Sequence, residues 1–277
     1  MAALVAVMIV VTVLRASSQD LVGAKFYRAL MAWLIFFVFA EGTIYYGVFK
    51  SILLAPPTAV IHRAMFYLEK GYLQINIAST MYRFISGFFI ALLLGAPLGL
   101  LFGVYDKAYE WIAPASNFLR MTPPPAILPF AIIVFGIGEA PAVFVITVGC
   151  FFPIFLATMR GVREVETIHK EVVQTMGGDQ MDVLKHVILP SALPSAMTGV
   201  RIGFGIGWLV LVASEIVAAD SGLGFMIQGG RMRLDTPTVF VGMTTICILG
   251  LTMDIFLKQL EKYVTVRKKG GGEYIYF

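Results

Sequence analysis

Two ionisable side chains within one apolar segment of this chain could meet a charged solute. Arg201 and Glu215 lie fourteen residues apart in one apolar segment, a setting in which charge is costly and commonly functional. On a straight helix that spacing puts them roughly on one face but about 21 Å apart along the axis. They therefore cannot pair with each other, and each needs another partner, a water-filled cavity or a boundary with water. The planar fork of Arg201 could bind a passing anion; the competing reading is a bond to neighbouring carbonyls or lipid headgroups. Arg201 and Glu215 are the candidates for lining a solute pathway, although Glu215 and Glu41 are also placed near an outer interface.

Other chemistries fail on missing parts. The sequence has no H-E-x-x-H pair and no G-x-S-x-G nucleophile elbow,. It has no G-x-x-x-x-G-K-[ST] loop either, so it cannot cradle ATP phosphates in the usual way,. His62, His169 and His186 lie in polar segments without ligand spacing, which argues against a metal site,. Cys150 and Cys247 lie in apolar stretches and read as small buried hydrophobes,. The expectation is a protein that is not an enzyme and holds no cofactor.

The elements that position these residues are membrane spans. Hydrophobic residues make up 58% of the chain, charged residues 14%, and the mean hydropathy is +0.84; a soluble domain is nearer half apolar and a quarter charged. The reading is an all-α, polytopic membrane protein. Met1–Leu14 is short for a span and is either an extra tilted helix or a segment at the surface; it lacks the basic start of a cleavable signal. Six core spans follow: Met31–Phe49, Phe84–Tyr105, Met121–Gly138, Ala140–Met159, Pro194–Ala219 and Thr236–Leu257. Between the first two, Leu54–Ala78 leaves the membrane, with an extended turn at Pro56-Pro57 and a short helix capped by Thr58. Asp220–Asp235 reads as a glycine-rich loop, and Lys258–Phe277 as a basic, then glycine-rich tail. Gly87, Ala91, Gly95, Gly99 and Gly103 recur every fourth residue, as do Gly199, Gly203 and Gly207. Small residues at this interval let helix backbones approach closely, either for static packing or as a smooth sliding surface. Pro97 should bend the second span.

The polar island Glu171–Pro190, EVVQTMGGDQMDVLKHVILP, organises the rest. Val165, Ile168, Val172 and Met176 fall at helical spacing. Gly177-Gly178 breaks that helix, and Asp179, with Asp182 three residues on, caps the next. Two short helices at a glycine elbow make a knob that another protein could grip.

Glu171, Gly177, Leu189 and Pro190 stand at the spacings of the pattern E-A-A, three residues, Gly, nine residues, Ile-x-Leu-Pro. In this the chain resembles the permease subunits of binding-protein-dependent ABC importers. Val187 replaces the usual Ile, and Val172-Val173 replaces two alanines. Leu54–Val60, Phe135–Glu139 and Ser221–Gly224 look like the nitrate/sulfonate/taurine branch, and the resemblance covers about Met31 to Lys262. It implies a type I importer transmembrane domain over residues 31–262, preceded by an apolar segment and basic linker (1–30) and followed by a tail (263–277). Coupling helices would lie at about 164–188, with Glu171, Val172, Val173, Gly177, Asp179, Leu189 and Pro190 touching two separate ATPase subunits that bind the ATP. A second permease copy would complete the pathway. An extracytoplasmic binding protein would dock near Pro56, Pro57, Ser221, Gly222 and Gly224 and deliver a small solute such as nitrate, a sulfonate or taurine. Lipid is the surroundings, and nothing suggests nucleic acid. With the island in the cytoplasm, fourteen Lys and Arg fall inside and six outside, with Arg201 in the membrane; this bias sets the orientation in the inner membrane. The rivals are a self-contained secondary transporter or channel, which should show paired charges in related halves, and a membrane scaffold that recruits a cytoplasmic partner.

Overall fold

A computed structural model describes residue 42 and residues 55–266. The N-terminal apolar segment, the expected span Met31–Phe49 with Glu41 (residue 42 apart), and the last eleven residues lie outside the described residues. The described residues are helical, without strands. Among the described residues four helices are long and apolar enough to cross a membrane, or five if one bent pair counts as a single span.

Two compact units are distinguished. In the smaller, α1 (Pro57–Glu69) starts from Pro56, whose extended backbone leads into a proline at the first helical position, where its missing N–H is harmless. Thr58 does not cap this helix. Arg63 pairs with Asp235 at 3.2 Å, and Asp235 accepts from the Thr238 hydroxyl at 2.7 Å.

The larger unit is built on three long helices: α2 (Tyr72–Val104), α5 (Glu139–Arg163) and α8 (Leu189–Ala218). Between α2 and α5 run α3 (Asp106–Leu119), a 3₁₀ turn (Pro124–Ile127) and α4 (Leu128–Phe135). After α5 come α6 (Thr167–Thr175), α7 (Gln180–Val183) and a π turn (Leu184–Ile188) that leads into α8. The wide turn lies where Pro190 has no N–H to offer the His186 carbonyl. The chain closes with α9 (Leu223–Met232) and α10 (Thr236–Val266).

Several expected boundaries move. The second span begins at Tyr72, not Phe84, because the polar residues of its first turns find partners inside the protein. The expected third span, Met121–Gly138, is not one helix. Only Pro124–Phe135 of it is helical, a 3₁₀ turn running into α4, and this piece meets α3 at 84°. The expected glycine-rich loop Asp220–Asp235 is mostly helix α9, and Lys258 and Lys262 continue α10. Cys150 is buried, whereas Cys247 is exposed on α10.

The packing centres on α5. On one side lies the ridge of α2: a Cβ on Gly87 would sit 2.8 Å from Ile146, on Gly99 2.6 Å from the Phe155 carbonyl, and on Gly103 2.7 Å from Val162. The ridge of α8 meets α5 as well. A Cβ on Gly203 would come within 2.9 Å of the Cys150 carbonyl, and one on Gly207 would overlap the Cys150 sulfur. These distances are below normal contact, so the backbones touch only because side chains are absent. Phe84 of α2 closes the gap to α8 edge-on against Phe204 (5.1 Å) and Trp208 (4.9 Å).

Gly207→Ala should lower thermal stability in detergent, by about 1–3 kcal/mol for an overpacked site. Adding Cys150→Ala removes the opposing sulfur and should recover most of the loss. Additive losses in the double variant would show that the two positions do not meet.

Candidate functional site

The knob folds as its residue types require. Asp179 Oδ1 accepts from the Asp182 backbone N–H at 2.7 Å, and the Asp179 N–H donates back to Asp182 Oδ2 at 3.1 Å, a reciprocal capping box,. Gly177 has φ +85° with nothing near its missing Cβ, so glycine is there for backbone freedom alone. Gly178 is held by space instead: a Cβ would lie 2.6 Å from Val173.

Of the expected apolar face only Val165 is buried; Ile168, Val172 and Met176 (84% exposed) face out. Val173 turns inward and packs against the cluster of Val162, Val183, Ile188 and Ala192. The knob is thus tied to α5 and α8 by one face, while Glu171, Ile168, Val172, Met176 and Met181 form an unburied mixed surface. Leu189 and Pro190 form the first turn of α8, with Leu189 exposed.

The second feature is a buried charge cluster. Arg83 of α2 is fully buried. All five of its N–H donors are used: Nε to Glu139 Oε2 at 2.5 Å, Nη2 to Glu139 Oε1 at 2.7 Å and Ser221 Oγ at 2.8 Å, and Nη1 to Glu215 Oε1 at 2.8 Å and the Ser221 carbonyl at 2.7 Å,. The other oxygen of Glu215 accepts from the Gly224 N–H (2.8 Å) and Thr80 Oγ1 (3.1 Å). Thr80 accepts from the Leu223 N–H, and Asn76 from the Gly222 N–H, each at 2.8 Å. Asn76, Thr80 and Arg83, at helical spacing, thereby clamp the turn Ser221–Gly224. Gly222 has φ +108°, and a Cβ there would strike Glu215 and Arg83.

The structure places the expected residues differently from one another. Glu215 is buried in this cluster, bonded to Arg83. Arg201, 45% exposed, lies 3.7 Å from both Asp254 and Glu261 of α10. Glu215 is brought together with Ser221, Gly222 and Gly224, whose two glycines are buried. Pro56 and Pro57 belong to the smaller unit. Arg83, counted among the six outside, is a buried residue of α2; leaving it out gives fourteen against five and the same sign. The sequence signal for Arg83 was the need of Glu215 for a cation and the Asn76, Thr80, Arg83 spacing upstream. Among the described residues no group of His, Cys, Asp and Glu could hold a metal.

Arg83→Met should leave Glu215 charged, buried and unpaired, with a loss of about 3–5 kcal/mol. Glu139→Gln should lose only about 1 kcal/mol, because Glu139 is half exposed,. Thermal unfolding of the purified protein checks the order; equal losses would mean that Glu215 has other compensation.

Comparisons with known proteins agree with this architecture. Residues 91–266 match the family "Binding-protein-dependent transport system inner membrane component". A Brucella melitensis chain described as "Probable ABC transporter permease protein" is 38% identical over 215 residues, 78% of this chain and 87% of the relative. The taurine transport system permease protein TauC of Escherichia coli is 33% identical over 221 residues, 78% of this chain and 80% of the relative. The inward-facing MetNI methionine ABC transporter matches with a TM-score of 0.60 at 21% identity, covering 71% of this chain and 98% of that one; this likeness supports the fold. A self-contained secondary transporter and a scaffold are not favoured. With its glycine-packed helices, capped knob and apolar spans, the chain belongs to the family of inner membrane components of binding-protein-dependent transport systems, as an ABC importer permease subunit.

Proposed function

We propose that two copies of this chain enclose a pathway for a small anion, that two separate ATPase subunits grip the α6–α7 knob in the cytoplasm, and that an extracytoplasmic binding protein delivers the solute. ATP would be bound and hydrolysed on those partners, and closure of the ATPase pair would move the knob and tilt the spans. The observation that carries this reading is the knob itself. Ile168, Val172 and Met176 stand exposed beside Glu171 on a helix fixed from behind by Val173, and apolar side chains grouped on a polar segment are what a protein partner covers. The basic residues gathered on the knob side favour its cytoplasmic placement. TauC supports a solute ending in a sulfonate, with nitrate and other small anions in the same class.

In liposomes containing the permease, its ATPase and its binding protein, Glu171→Arg and Gly177→Val should leave insertion intact and abolish ATP-driven uptake. Gly177→Val forces a β-branched residue into the left-handed region, which costs roughly 1–2 kcal/mol, too little to unfold the protein but enough to reshape the elbow. Normal uptake by both variants would sink the coupling role. In intact cells, with Cys150 and Cys247 replaced, a cysteine at Asp179 should resist an impermeant thiol reagent, and one at Ser221 should react. Labelling of position 179 from outside would reverse the orientation.

A further inference from the structure

The interruption between α3 and α4 carries a feature that the coupling knob and the charge cluster do not use. Arg120 and Thr122 stand at the break and line a cavity of about 280 Å³ whose far wall includes Gly149 and Pro153 of α5 and Ile202 and Ile206 of α8. Its depth follows from the helices. Gly149 lies ten residues from the start of α5 and fourteen from its end, and Ile202 and Ile206 lie in the middle of α8. The path of α3 gives the same level. Asp106 bonds Arg163 at the inner end of α5, and the fourteen residues of α3 then rise about 20 Å,. The cavity is therefore halfway through the bundle, at a helix broken by three prolines. Broken backbone and charge are tolerated at that depth where they line a cavity rather than face lipid.

Arg120 also differs from Arg83 of α2, which is bonded to two carboxylates, and from Arg201 of α8. Arg201 has two carboxylates at 3.7 Å. Arg120 is exposed and, among the described residues, makes no ion pair. An uncompensated guanidinium at mid-depth is the arrangement that a membrane protein avoids unless an anion comes to it.

We propose that Arg120, with Thr122 beside it, is the mid-membrane binding site for the anionic group of the transported solute; this rests on the permease reading above. The guanidinium supplies the charge, the Thr122 hydroxyl can add one donor, and the Ile202, Ile206 and Pro153 wall faces the apolar part of a short organic anion. One cation without a second holds the anion weakly, as a pathway that must release its solute requires. Arg201, already neutralised, is left to tie α8 to α10.

The test uses the complex of permease, ATPase and binding protein in liposomes, in a Cys150→Ala, Cys247→Ala background with Ile206→Cys on the cavity wall. The probes are two thiol reagents of similar size, anionic 2-sulfonatoethyl methanethiosulfonate and its cationic trimethylammonioethyl counterpart. With Arg120 in place the anionic reagent should react faster. Arg120→Gln should lower the anion-to-cation rate ratio by roughly tenfold or more, the effect of one nearby charge in a partly screened cavity, and Arg120→Lys should restore much of it. Arg120→Ala, at the same exposed position, serves as a second variant if Arg120→Gln does not assemble. The same ratio with and without the charge would overturn the proposal. Taurine uptake by the complex without Ile206→Cys is the separate arm: it should fall in Arg120→Gln at unchanged thermal stability. An unaltered rate there would also overturn the site. A lack of taurine uptake in the unmutated complex, with the charge preference intact, would instead remove taurine and leave the anion site standing.

Discussion

The fold depends on close approach of helix backbones to α5. In lipid, one apolar side chain against another gains little over contact with acyl chains, so association has to come from tight packing and from polar groups. The α2 and α8 ridges meet this by removing side chains where α5 passes. Ile146, Ile154 and Val162 project into the spaces left at Gly87, Gly95 and Gly103, while α5 carbonyls face the same ridge. The fit concerns volume, which is why a single methyl at Gly99 or Gly207 has nowhere to go.

Polar groups in the bundle follow a different rule, saturation. The five donors of Arg83 meet five acceptor atoms of Glu139, Glu215 and Ser221, and both Glu215 oxygens are occupied. A half-satisfied cluster at this burial would be worse than an apolar core. The turn Ser221–Gly224 supplies the remaining partners from its own backbone, which explains its two buried glycines: any side chain at Gly222 would displace the carboxylate or the guanidinium.

Much of this was legible in the sequence because local rules sufficed. The period of four in the ridges, the Asp179–Asp182 cap and the stop at Gly177 are properties of short windows, and each forms as its residue types dictate. What was not legible depended on partners remote in sequence. Arg83 looks like a loop residue bordering an apolar run, because nothing nearby neutralises it; its carboxylates are 56 and 132 residues away. The start of α2 at Tyr72 was hidden for the same reason, since Asn76 and Thr80 are polar by composition and buried by virtue of the Ser221–Gly224 turn. Within the knob, helical periodicity identified an apolar face but not its direction. Val173, one residue off that face, is the one that packs, because Val183 and Ile188 approach from its side.

The two interaction types divide the work of specifying one arrangement. A ridge with a small residue every fourth position, facing a row on α5 with the same interval, matches itself again after a shift of one helical turn. Adhesion between α2 and α5 is therefore strong without fixing which turn lies against which. The charge cluster has no such repeat. Glu139 stands at the first turn of α5, Arg83 occurs once on α2, Glu215 once on α8, and Ser221 once in the turn that follows it. A shift of one turn, about 5.4 Å, would carry Glu139 out of reach of a guanidinium it now meets at 2.5 and 2.7 Å. The apolar ridges hold the three helices together, and the buried arginine selects the register in which they are held, the use of a buried ionic group that is best attested in packed helices.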